Sequence, residues 1–114
     1  MEKLNFNCNT ADGELVIALC GTVDHHTLRD VRERLDTAIC RSRAKTVVLD
    51  LEGVEFMDSA GLGLIMGRYT RVTDLGGKLI LRGVNGEIYR IIRLAGLEKF
   101  IPIEKNEKKT AMKG

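Results

Sequence analysis

Ser59 sits in the run F-M-D-S-A-G-L-G-L-I, residues 56–65, directly after Asp58 and directly before a glycine-dotted apolar stretch. A hydroxyl in that setting suits four kinds of chemistry: a nucleophile, part of a phosphate-cradling loop, a helix cap, or the target of another enzyme. A hydrolase nucleophile sits in G-x-S-x-G. Gly61 fits the last position of that pattern, but Met57 occupies the first. His25 belongs to a loop expected at the same end of the molecule, yet the sequence supplies no convincing oxyanion-hole loop or substrate pocket. Nucleotide patterns fit no better. Gly61, Gly63 and Gly67 match neither G-x-x-x-x-G-K-S/T nor G-x-G-x-x-G, and no lysine follows to reach phosphates.

A structural cap is the plainest role, since serine is a favoured helix N-cap contributing about 1 kcal/mol. It does not account for Gly63 and Gly67, which fall inside the following helix and each cost roughly 1 kcal/mol relative to alanine. Close packing on a sheet, or close approach of a partner protein, would each favour a surface without side chains. As a phosphorylation target, Ser59 would gain about −1.5 to −2 charge at pH 7. A helix N-terminus favours that charge, so the modification would change a partner's affinity and leave the fold intact.

The remaining reactive side chains point away from a metal centre. His25 and His26 are adjacent, not at ligand spacing, so no zinc site is expected. A neutral surface role is expected for both. The three cysteines, Cys8, Cys20 and Cys40, lack C-x-x-C spacing, and Cys20 lies in the apolar run 16–20. Buried, reduced thiols in a cytoplasmic protein are the simplest expectation. The net charge of +2, from 18 basic and 16 acidic residues, gives no basic stripe for nucleic acid. No apolar run approaches the ~20 residues of a membrane span, and no apolar segment follows Met1 to make a signal peptide.

The 114 residues suit one domain with a single core. Residues 3–8 alternate polar and apolar and read as a strand. Asp12-Gly13 turns the chain into a second strand, 14–20. Residues 25–42 read as a helix capped by Asp24 or Thr27, with Leu28, Val31, Leu35, Ala38 and Ile39 inward. Its outer face carries the i,i+4 pairs Arg29/Glu33, Asp30/Arg34 and Arg32/Asp36. Residues 45–51 are nearly continuous in apolar character, as in a strand covered on both faces. A short connection, 52–58, leads to a helix over 60–74 opened by Ser59, with Leu62, Ile65, Met66, Tyr69 and Val72 inward. Gly76-Gly77 ends it before a strand at 78–82. Asn85 caps a third helix, 86–95, with Ile88, Ile91, Ile92 and Ala95 inward, that stops at Gly96. Residues 100–103 form a final edge strand around Pro102. The Lys/Glu-rich tail, 105–114, is expected to fray.

The order β-β-α-β-α-β-α-β implies parallel neighbours with right-handed crossovers after an antiparallel first strand. Function in such sheets gathers at the carboxyl ends of the strands. The loops 21–27 and 52–59 stand there, so Asp24, Asp58 and Ser59 are expected to share one end of the molecule.

These residues carry a resemblance. The stretch VVLDLEGVEFMDSAGLGLIMGRY, residues 47–69, resembles the central motif of the bacterial anti-sigma factor antagonists, which are single STAS domains. LCGTVDHHTLRDVRERL (19–35) and GGKLILRGVNGEIYRIIRLAGLEKFIPI (76–103) resemble the flanking segments, so the likeness spans residues 3–103. The D-H-H and G-R-Y around the core motif narrow it to the sporulation branch, which acts on the forespore anti-sigma factor in Bacillus and its relatives. The resemblance implies an α/β fold, one STAS domain over 1–104, with a mixed sheet of four to five strands against three to four helices. It implies a non-enzymatic, cytoplasmic protein without cofactor. Its partners would be an anti-sigma factor with serine kinase activity, holding ATP or ADP, and a serine phosphatase. Ser59 matches the phosphoacceptor, and Asp24, Asp58, Gly61 and Leu62 fall in the matching partner-facing segments. Ala60 departs from the Ser or Thr often found there, which removes the alternative acceptor. STAS domains with other duties, a scaffold or a transporter's cytoplasmic part, form the competing class.

Overall fold

The structure, a computed structural model, describes residues 3–104. The tail expected over 105–114 lies outside the described residues. Five strands form one sheet in the order β1-β2-β3-β4-β5: Leu4–Ala11, Glu14–Val23, Thr46–Met57, Lys78–Arg82 and Ile103–Glu104. β1 pairs antiparallel with β2 through the Asp12-Gly13 turn, and the other neighbours are parallel. Three helices link them: α1, Val31–Ser42; α2, Ser59–Asp74; and α3, Gly86–Leu94, followed by a short 3-10 turn, Leu97–Lys99.

The core lies on one face of this sheet. Register places Leu15, Val47 and Leu79 in one row and Ile17, Leu49, Leu81 and Ile103 in the next. Successive strand residues face opposite sides, so these rows share a face. They form one cluster with Val31, Leu35 and Ile39 of α1, Leu64, Ile65 and Val72 of α2, and Ile88 and Ile92 of α3. The expected inward stripes are found in large part: Ile65 and Val72 of α2 are buried with Leu62, Met66 and Tyr69 half-buried beside them, but Leu64, which the stripe omitted, is fully buried, and Ala95, expected inward with Ile88, Ile91 and Ile92 on α3, is exposed. Each such fully buried aliphatic side chain contributes roughly 1.5–3 kcal/mol.

Four expectations are corrected. The segment expected as a connection, 52–58, continues β3 through Met57. Its pairing with β2 slips twice, between Ala18 and Cys20 and between Gly21 and Thr22. Core-facing positions on β3 consequently run 47, 49, 51, 54 and 57, two-residue steps followed by three-residue steps. Each longer step is a β-bulge, which absorbs a residue and re-aims the strand. The first helix begins at Val31, not at 25, because Asp24 and Thr27 bond each other's backbone in a separate turn. The final strand begins at Ile103, not at 100, since the chain first makes the 3-10 turn. All three cysteines are exposed, not buried. Cys20 falls on the sheet face without helices, where alternation opposes it to the core residue Leu19.

The expected Arg32/Asp36 pair is also replaced. Asp36 instead reaches α2, with Arg68 Nε at 2.9 Å from Oδ1 and Arg71 Nη2 at 3.7 Å from Oδ2. The Arg68 Nη2 donor completes a second contact at 3.4 Å. Arg68 is buried, and desolvation pushes its pKa down while Asp36 opposes that shift. The Nε–H does not point along the short contact, so charge more than a directed hydrogen bond holds the pair.

Removing one partner leaves a buried charge alone. Asp36→Ala is expected to lower unfolding stability by roughly 2–4 kcal/mol in urea. The double change Asp36→Leu with Arg68→Met is expected to cost less than that single change. A double variant less stable than Asp36→Ala would show that the pair is a net stabiliser.

Candidate functional site

The end of β3 is tied to β2 by Val23 opposite Met57 and by the Asp58 N–H donating to the Val23 carbonyl at 3.1 Å. Asp24 and Asp58 thus follow paired positions on adjacent parallel strands. This is the shared end that the loop positions predict. The third strand–helix junction joins them, where Asn85 caps α3 by accepting the Ile88 N–H at 3.0 Å. Its side-chain amide also donates to the Val54 carbonyl at 3.4 Å.

Asp58, not Ser59, is the N-cap of α2. Its backbone is extended and its Oδ1 accepts the Ala60 N–H at 2.8 Å. Its carbonyl takes the Gly61 N–H at 2.9 Å. Two of the four unpaired N–H groups that open a helix are satisfied in this way. Ser59 becomes the first helical residue, and it is exposed. Among the described residues its hydroxyl makes no hydrogen bond. The capping work expected of the serine has moved one residue back, and the hydroxyl is left uncommitted.

Asp24 is also committed. Its Oδ1 accepts the N–H groups of His26 and Thr27, each at 2.9 Å, and its own N–H donates to Thr27 Oγ1 at 3.0 Å. Chiefly the Thr27 N–H holds the Asp24 carboxyl below its ordinary 3.8; partial desolvation opposes this, and the His26 N–H reinforces it. His25 stacks on His26 with ring centroids 4.0 Å apart. Among the described residues no hydrogen bond joins either ring to Ser59, so no Ser-His pair forms.

The glycines divide by role. Gly61 is buried, and a Cβ there would run into the Met57 side chain, with Sδ at only 2.8 Å. It lets α2 begin directly beneath the end of β3. Gly63 and Gly67 have nothing within 4 Å of a Cβ position, so sheet packing does not require them. Gly63 is exposed and Leu62 half-buried against the core. Sequence reasoning missed Phe56, two positions before the Asp58 cap and 54% exposed. An aromatic residue in a polar stretch, E-F-M-D, was the available signal.

A cleft of about 480 Å³ lies elsewhere, lined by Val84, Gly86, Tyr89, Glu98, Ile103 and Glu104, and includes none of the predicted site residues. Among the described residues no group of three or more His, Cys, Asp or Glu side chains could hold a metal ion. No described helix is long and apolar enough to cross a membrane.

The fold is an α/β sheet whose strand ends carry an exposed serine and two carboxylates committed to turns. The chain belongs to the STAS domain family, whose model matches residues 5–110. It is 42% identical over 95 residues to an anti-sigma F factor antagonist of Paenibacillus polymyxa, covering 83% of this chain and 81% of that one. The structure resembles the anti-sigma factor antagonist SpoIIAA in its unphosphorylated form, with a TM-score of 0.75 and 27% identity over 93% of each chain. It also resembles the Bacillus cell fate determinant SpoIIAA in the phosphorylated form, with a TM-score of 0.68 and 26% identity, covering 96% of this chain and all of that one.

Two outcomes test this site. Gly61→Ala is expected to destabilise the fold by roughly 1–3 kcal/mol through overpacking against Met57. Gly63→Ala is expected to stabilise it by about 1 kcal/mol. Equal midpoints in urea for both variants would contradict the division. The folded Asp24 pKa lies below the unfolded one, so its contribution is present above about pH 4 and lost as pH falls through the folded value. Asp24→Asn is therefore expected to show a shallower loss of stability below about pH 4 than the parent chain. Identical acid limbs would show that the turn does not depend on the carboxylate.

Proposed function

We propose that this chain is an anti-sigma factor antagonist that works by partner switching in the cytoplasm. The unmodified form binds an anti-sigma factor that is also a serine kinase, with ATP or ADP in the kinase, and so frees a sigma factor. The kinase phosphorylates Ser59 and thereby expels the antagonist. A serine phosphatase restores it. The chain itself contributes no catalytic residue, cofactor, nucleic-acid contact or membrane contact to this cycle. The observation that carries the reading is the exposed, unbonded Ser59 hydroxyl on the first turn of a 16-residue helix. The likeness to proteins named as antagonists, one solved in both unphosphorylated and phosphorylated form, supports it.

The chemistry of release is electrostatic. A phosphate at the first helical position is favoured by the helix N-terminus by ~0.3–1 kcal/mol. Asp58 beside it opposes, so the net effect on folding is small. A partner surface fitted to a neutral hydroxyl meets a bulky dianion whose desolvation is costly. Each ~1.4 kcal/mol lost at the interface is a tenfold loss of affinity. Asp24, Asp58, Ser59, Gly61 and Leu62 are the proposed partner-binding set. Ser59 meets the partner directly, while Asp24, Asp58 and Gly61 shape the rim from beneath. Phe56 and the bare backbone at Gly63 extend that surface.

Incubation with ATP and the cognate anti-sigma kinase is expected to add one phosphate, located to Ser59 by fragmentation mass spectrometry. No phosphate on a folded chain with an active kinase would count against the proposal. Ser59→Ala is expected to bind the kinase and resist release, and Ser59→Asp to bind more weakly than the parent. Phe56→Ala is expected to weaken binding at least about tenfold with unchanged unfolding. Unaltered affinity would remove Phe56 from the interface.

A further inference from the structure

We propose that the chain forms a two-fold dimer in which β1 pairs antiparallel with β1 of a second copy. Among the described residues β1 is the edge of the sheet and pairs only with β2. The Thr22 N–H donates to the Lys3 carbonyl at 2.9 Å. The register continues from Leu4 opposite Gly21, so Lys3 and Thr22 form a hydrogen-bonded pair. Hydrogen-bonded and open pairs alternate along an antiparallel ladder. Residues 5, 7 and 9 therefore direct their backbone groups to β2, while Leu4, Phe6, Cys8 and Thr10 direct theirs outward.

This edge lacks the features that blunt edges elsewhere. Residues 4–11 contain no proline and no charged side chain, and their pairing with β2 is without a bulge. The opposite edge, β5, directly follows Pro102 and carries Glu104. The β1 sequence L-N-F-N-C-N-T is also patterned for its own copy. A two-fold axis at Asn7 sets Phe6 opposite Cys8 and Leu4 opposite Thr10, all with outward backbone groups, giving about eight hydrogen bonds. Asn7 then faces Asn7 of the partner subunit, and Asn5 faces Asn9 of the partner subunit.

The groove beside the edge carries charges of both signs. It has about 380 Å³ and is lined by Phe6, Glu33, Arg34, Thr37, Ala38 and Arg41. The Arg34 guanidinium lies 4.8 Å from the centroid of the Phe6 ring, which levels α1 with β1. In a continuous sheet the two α1 helices lie side by side and antiparallel, about an axis near Thr37. Glu33 then faces Arg41 of the partner subunit, twice by symmetry, as isologous contacts require. Ser59 lies beyond β3 and stays open in such a dimer.

Sedimentation equilibrium of the full chain in reductant, from about 1 to about 200 µM, is expected to show a monomer–dimer equilibrium. Cys8→Pro removes an outward N–H and spares the ladder to β2, and is expected to raise the dimer dissociation constant at least about tenfold. A second test does not depend on that variant folding. With Cys8, Cys20 and Cys40 changed to serine, Asn7→Cys is expected to oxidise to a disulfide dimer, because open pairs hold Cα atoms about 4.5 Å apart. Asn5→Cys alone is expected to remain monomeric, and Asn5→Cys with Asn9→Cys to cross-link. A monomer at every concentration, a dimer indifferent to Cys8→Pro, or equal cross-linking by Asn5→Cys and Asn7→Cys would each overturn the proposal.

Discussion

The Asp58 N–H to Val23 carbonyl bond, at the point where two bulges have brought β3 back into line with β2, sets everything around the site. β3 is a central strand and also the arm that delivers the D-S motif to the surface. Without the bulges, strict alternation would turn Val54 away from the core, and the register running on from Ala18 opposite Asp50 would set Glu55, not Met57, opposite Val23. With them, Met57 pairs with Val23 and Asp58 stands at the head of α2. Gly61 completes the junction by leaving room for the Met57 side chain.

The rim then separates groups that maintain the structure from the one that is left free. Both carboxylates accept backbone N–H groups and hold turns closed. Among the described residues the Ser59 hydroxyl holds nothing. A group with no structural duty can change its charge at little cost to the fold, which is what a reversible modification requires. The surroundings also argue against catalysis by Ser59, since a nucleophile needs a base within hydrogen-bond reach, and the histidines pair with each other. Behind the rim, the Asp36–Arg68 pair joins α1 to α2 from within.

Much of this architecture was legible. The Asp12-Gly13 hairpin and the ends at Asn85 and Gly96 rest on local chemistry and are found, as are the period-3.6 stripes apart from Leu64 of α2, which was missed, and Ala95 after α3, which is exposed. The parallel order followed from alternating strands and helices. Three things were not legible because they depend on partners distant in sequence. The bulged end of β3 reads as a loop, since E-G-V-E-F-M loses strict alternation; the three-residue steps from Leu51 to Val54 to Met57 are the trace it leaves. Asp36 has an arginine four residues before it in sequence, and only the packing of α1 on α2 brings Arg68 closer. Cys20 continues an apolar run, yet alternation puts it on the face no helix covers. In the site, the shared end of Asp24, Asp58 and Ser59 was legible from topology. The transfer of capping from Ser59 to Asp58 was not, because either residue type can cap.

The central claim is that charge on Ser59 changes the interface and spares the fold. The most direct measurement is calorimetric titration of the anti-sigma factor with the chain carrying phosphoserine at 59 and with the unmodified chain, alongside thermal unfolding of both. The account predicts unfolding midpoints within a few degrees of each other and an affinity at least about a hundredfold weaker for the phosphorylated form. Equal affinities, or a loss of affinity matched by a large fall in the unfolding midpoint, would contradict it.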